Sequence, residues 1–162
     1  VYKTQITTSG TFAMRFHHLA LVVPDMDAAS RFFAEALDCV VVFSGSWSQP
    51  APLMDSLLRL EGSAARSALL KGPCGFLELF EFASPKAGPS AALPPHHPGL
   101  RHMGIECEDP VAMAARVVAA GGTQLGEVIA IPGGAPAVVY CRDPFGNIIE
   151  FLKPGGRMPH AL

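Results

Sequence analysis

Phe16-His17-His18-Leu19-Ala20-Leu21-Val22-Val23-Pro24-Asp25 returns 84 positions later as Leu100-Arg101-His102-Met103-Gly104-Ile105-Glu106-Cys107-Glu108-Asp109. In both copies a histidine opens an apolar run that reads as a strand, and an aspartate then stands where a helix N-cap belongs. Ala-rich amphipathic stretches follow, Met26–Leu37 in the first copy and Pro110–Ala120 in the second. Such self-similarity points to a duplicated structural unit.

Beyond each helix the period changes to short β-rich runs: Val40–Phe43, Ala68–Lys71 and Phe76–Phe82, then Gln124–Ile129, Ala137–Tyr140 and Asn147–Leu152. Gly and Pro mark the turns at Lys71–Gly75, Ile131–Gly134 and Asp143–Asn147. Each half therefore reads βαβββ, and the expected fold is α+β, two tandem modules whose curved mixed sheets form one metal-containing cleft. The expected division is 14–85 for the first module, 86–97 for a Pro-rich linker and 98–155 for the second module. Residues 1–13 read as an extension without function, and 156–162 as a tail.

Glu78 and Glu150 lie in the last strands of the two halves but are 72 positions apart, so the first half carries about twelve extra residues. They fall between Gly45 and Gly62, as a loop with a short helix that could lie over substrate. Trp47, the only tryptophan, sits there and is expected to contact substrate or close over the cleft.

Strand alternation puts His18 with Phe16, Ala20 and Val22, and Glu78 with Phe76, Phe80 and Phe82. An ionised carboxylate among three phenylalanines needs a cation or a charged partner. His102 and Glu150 repeat the situation. Two imidazoles and two carboxylates on equivalent strands make a mixed N/O donor set suited to one divalent ion, Zn, Ni, Co, Fe or Mn. A six-coordinate ion would keep two positions for water or for two adjacent oxygens of a small-molecule substrate. Phe76, Phe80, Phe82 and Trp47 are the expected substrate-binding lining. His17 is expected on the opposite strand face, His96 and His97 in the linker, His160 in the tail, and Glu81 and Glu106 at the rim.

The composition narrows the partners. A net charge of −2 with 16% charged residues leaves no basic stripe for a phosphate backbone, so no nucleic acid is expected. Apolar runs such as Leu19–Val23 are far short of the roughly 20 residues that span a bilayer, so no membrane is either. Without a charged start and apolar leader, the expected compartment is the cytoplasm. Cys39, Cys74, Cys107 and Cys141 form no C-x-x-C pair and read as reduced and buried. The low charged fraction also suggests a homodimer.

His18-Leu-Ala-Leu-Val-Val-Pro-Asp, Phe76-Leu-Glu-Leu-Phe-Glu-Phe, His102-Met-Gly-Ile-Glu-Cys-Glu-Asp and Asp143-Pro-Phe-Gly-Asn-Ile-Ile-Glu150-Phe resemble the four signature segments of the vicinal-oxygen-chelate superfamily. That superfamily includes glyoxalase I, methylmalonyl-CoA epimerase, extradiol dioxygenases, fosfomycin-resistance transferases and bleomycin-binding proteins. The resemblance implies that His18, Glu78, His102 and Glu150 are the metal ligands. It implies a lyase or isomerase that removes a proton next to a carbonyl and stabilises the resulting enolate, with Glu150 as base and Glu78 as its symmetric counterpart. It also implies pairing of modules across chains. The fourth donor, Glu78, weighs against an extradiol dioxygenase and against a metal-free binding or resistance protein; both remain alternatives.

Overall fold

Asp25 and Asp109 cap the two helices as their sequence contexts predict. Asp25 accepts from the backbone N–H groups of Asp27 and Ala28, and Asp109 from that of Ala112. The computed structural model describes residues 15–86, 88, 92–130 and 136–155. The 1–13 extension, the 131–134 turn, part of the linker and the 156–162 tail lie outside them.

The first module runs β1 (His18–Val22), α1 (Met26–Leu37), β2 (Val40–Trp47), α2 (Pro52–Leu58), β3 (Ala64–Gly72) and β4 (Gly75–Ser84). The second runs β5 (His102–Glu106), α3 (Pro110–Ala119), β6 (Thr123–Gln124), β7 (Ile129–Ala130), β8 (Pro136–Arg142) and β9 (Ile148–Leu152). The strand orders are β1-β4-β3-β2 and β5-β9-β8-β6, with β7 also on β8. In each sheet the first strand lies parallel to the last, and the other pairs are antiparallel. This is α+β architecture in two βαβββ modules. No helix among the described residues is long and apolar enough to cross a membrane.

Three expectations change in detail. The Val40–Phe43 run continues to Trp47, across a register shift between Val41 and Phe43. The Gln124–Ile129 run is two short pieces rather than one strand, because Gly126 interrupts it and its carbonyl is taken by the Gln124 side chain at 2.6 Å. All four cysteines carry free thiols, but Cys74 is exposed, since it sits in the turn between β3 and β4.

One face of each sheet is covered by its helix. Phe32, Phe33, Ala36 and Leu37 of α1 pack on Leu70, Leu77 and Leu79, while Ala114 and Val117 of α3 join Val139, Cys141, Ile149 and Phe151. These form one continuous core because α1 and α3 touch. Arg116 of α3 reinforces the junction, donating to both Asp38 carboxylate oxygens at 2.6 and 2.8 Å and to the Glu35 carbonyl. With the helices on one side, alternation turns the other face of each sheet away from the core.

Glu81 lies at the start of α1, where it accepts from the Met26 N–H at 2.8 Å and from Arg66 at 2.6 Å. Arg66 first, and the Met26 N–H second, hold its carboxyl below its ordinary pKa. A depressed folded-state pKa means stability present above the unfolded value of about 4.3 and lost as pH falls through the folded value. Glu81→Gln is therefore expected to cost about 1 kcal/mol at neutral pH, a typical cap loss. The difference should vanish at about pH 2, where both side chains are neutral. Paired urea melts at the two pH values check this.

Candidate metal centre

Register decides which side chains meet. In the β1–β4 ladder Ala20 stands opposite Glu78 and His18 opposite Phe76, so His18 and Glu78 are diagonal neighbours on one face. In the β5–β9 ladder Gly104 stands opposite Glu150 and His102 opposite Ile148, the same offset. The contacts match as well: His18 Nε2 lies 3.0 Å from Glu78 Oε2, and His102 Nε2 lies 3.1 Å from Glu150 Oε2. Small residues opposite each glutamate, Ala20 and Gly104, leave room for the carboxylate to turn.

These spacings fit a shared ion. Two donors bound at about 2.1 Å and at right angles lie about 3.0 Å apart. The four do not gather within one chain, however: among the described residues no three of His, Cys, Asp or Glu form a group that could hold an ion. The two pairs stand apart, one on each sheet, each a candidate half-site. The histidine-bearing strands β1 and β5 are the outer strands of their sheets. Residues of both strands line a mainly apolar cavity of about 320 Å³, with Leu19 on one side and His102 and Met103 on the other.

His17 is not on the opposite face, as expected from alternation. Its ring stacks on Phe76 at 5.3 Å, and its Nδ1 lies 2.8 Å from His18 Nδ1. The reason is that β1 begins at His18, so strand parity does not reach back to residue 17. With Nδ1 of His18 engaged, its Nε2 is the nitrogen offered to Glu78 or an ion.

In the second half-site Tyr140 has this supporting part. It stands opposite Glu150 across β8 and β9, and its ring meets His102 edge-on with centroids 5.5 Å apart. Burial first, then the neighbouring Glu150 carboxylate, push the Tyr140 pKa above its ordinary value. Strand parity set His17 aside on the opposite face and gave no signal for Tyr140. Counting ladder pairs outward from the Asp143–Asn147 turn would have found the tyrosine, since Arg142 opposite Ile148 puts Tyr140 opposite Glu150. That turn is firmly built: buried Asp143 accepts from the N–H groups of Phe145 and Asn147 and from the Asn147 amide. Burial raises the Asp143 carboxyl pKa, and these bonds oppose the rise.

The expected lining residues share the Glu78 face. Trp47 meets Phe80 and Phe82 edge-on at 6.2 and 5.9 Å, and Phe80 stacks on Phe82 at 6.0 Å. Phe76 lies at the other end, beneath His17. Trp47 is the last residue of β2 and is tied down: its indole N–H donates to Ser63 Oγ at 2.9 Å, and the Ser63 N–H donates to Asp55 of α2 at 2.8 Å. Trp47 is thus held in place by Ser63, which is in turn held by Asp55 of the inserted stretch. The rings of His96 and His97 lie tilted to each other with centroids 5.5 Å apart, both exposed, and Glu106 is exposed beyond His102 on the same strand; His160 lies outside the described residues.

Relatives share this arrangement of modules. A 2-epi-5-epi-valiolone epimerase from Actinomyces sp. is 33% identical over 152 residues, covering 89% of this chain and 82% of that protein. A glyoxalase family protein from Bacillus cereus superposes with a TM-score of 0.77 at 20% identity, over 93% of this chain and 100% of that one. The trypanothione-dependent glyoxalase I of Leishmania major gives 0.60 at 21% identity, over 87% of each chain. The family profile itself matches residues 15–151, which contain both His–Glu pairs and all three helices. Duplicated modules, equal His–Glu offsets and that match agree: the chain belongs to the Glyoxalase/Bleomycin resistance protein/Dioxygenase superfamily.

Proposed function

We propose that this chain is a metal-dependent isomerase of the epimerase type, acting next to the carbonyl of a small ketone such as the one that names its Actinomyces relative. The observation that carries the reading is the His–Glu pair repeated at one register in both modules. His18, Glu78, His102 and Glu150 would hold one divalent ion, which supplies Lewis-acid stabilisation of negative charge developing on adjacent substrate oxygens.

The chain's own residues do the rest. Glu150 takes the proton from the carbon beside the carbonyl; the C–H electron pair forms a C=C bond to the carbonyl carbon as the carbonyl π pair moves onto its oxygen, giving an enolate. Glu78, its counterpart from the other module, in its protonated form gives its proton to that carbon from the opposite side; the C=C pair forms the new C–H bond, the oxygen pair restores the carbonyl, and Glu78 is left as carboxylate with Glu150 protonated. Either carboxylate in an apolar cleft gains proton affinity once detached. Trp47, Phe76, Phe80 and Phe82 pack against the substrate's carbon skeleton and keep water away. Joining the half-sites is part of the same proposal: in a homodimer, the first module of one chain meets the second module of its partner.

Metal analysis after chelator-free purification, sedimentation, and deuterium uptake from solvent into 2-epi-5-epi-valiolone test these points together. We expect one divalent ion per chain, a dimer, and exchange that stops on chelation. Failure to retain an ion would favour a binding protein, and a monomer with full metal occupancy would overturn pairing across chains.

A further inference from the structure

Arg101, just before β5, is partly buried, and its Nε is shut off from water with no hydrogen-bond partner. Every Asp and Glu of the chain lies among the described residues, and none of them forms an ion pair with Arg101. A buried guanidinium N–H left unsatisfied is costly, so the position calls for an acceptor from outside these residues.

Two cavities meet beside it. Arg101 lines a small one of about 50 Å³ together with Leu21 and Asn147. That cavity shares Leu19, Leu100, His102 and Met103 with the mainly apolar one of about 320 Å³ between the modules. Of the four residues proposed to hold the ion, only His102 borders either, so this seam is a separate place from the His–Glu pairs. The Nε and one Nη of a guanidinium form a fork that matches the two oxygens of a carboxylate. An apolar hollow next to such a fork suits a ligand with a carboxylate at one end and hydrocarbon behind it. We propose that the seam between the modules binds a small monocarboxylate, its head group on Arg101 and its hydrocarbon body in the larger cavity. The inference does not depend on the ion.

Octanoate at about pH 7.5, where its carboxyl is ionised, is the probe, and octanol is its uncharged counterpart. Calorimetric titration of the full chain should show octanoate bound at least about tenfold more tightly than octanol, the worth of a charge-assisted hydrogen bond. Arg101→Met keeps the length of the side chain and removes the charge. Octanoate affinity should then fall to that of octanol, with octanol bound as by the parent and the melting temperature no lower. Cys74→Trp, in the exposed β3–β4 turn at the wall of the larger cavity, should weaken both ligands. Octanoate bound no better than octanol by the parent, or undiminished in Arg101→Met, overturns the proposal. So does a Cys74→Trp variant that holds both ligands as the parent does.

Discussion

Glu150→Gln is expected to slow proton exchange at the substrate carbon by at least about 10²-fold, the usual loss on removing a general base. Glutamine keeps the size and one coordinating oxygen, so the ion should remain at reduced affinity. The side chain sits where this matters, 3.1 Å from His102 Nε2 and opposite Tyr140. Glu78→Gln serves as the comparison, because its His18 contact has nearly the same length, 3.0 Å. Solvent deuterium uptake measured on both variants, with metal content determined in parallel, separates loss of base from loss of ion. Should Glu150→Gln exchange at near the parental rate while Glu78→Gln does not, the two roles are reversed.

The largest effect on stability is expected from Phe33→Ala. Phe33 is fully buried in α1, its ring edge-on to Phe32 at 5.1 Å, inside the core that joins the two modules. Truncating a buried phenylalanine costs about 3–5 kcal/mol. A domain of this size loses roughly 10 °C in melting temperature for such a change. Chemical denaturation should show a lowered midpoint with an unchanged slope, as expected for a lost contact rather than an altered unfolded state. A shift under about 1 kcal/mol would mean that the surrounding helices collapse into the space.

Much of this architecture is legible in the sequence because its signals are local. Asp25 and Asp109 cap as their positions require, and the repeat offset places both histidines on strands at equivalent sites. The pairing of each histidine with its glutamate follows from the same repeat. What parity could not show depends on where strands begin and how they register. His17 escapes alternation because the strand starts one residue later. Tyr140 is visible only once the hairpin register is counted, and the anchoring of Trp47 needs Ser63 and Asp55 from a stretch with no periodic signal. That residues of β1 and β5 line one cavity depends on how α1 meets α3, a packing relation that no single segment encodes.

The parallel pairing of β1 with β4, and of β5 with β9, joins the first strand of each module to its last. Each half-site is therefore a clasp between the two ends of its module, and it exists only while every strand and helix between them is in place. An ion bound there, as proposed, would be linked to the folding of the whole unit rather than to a local loop. At a hundredfold excess over the dissociation constant such linkage adds about 2.7 kcal/mol to stability. An ion bridging both clasps would tie the unfolding of one module to that of the other, so the metal would act as a thermodynamic coupler as well as a reagent.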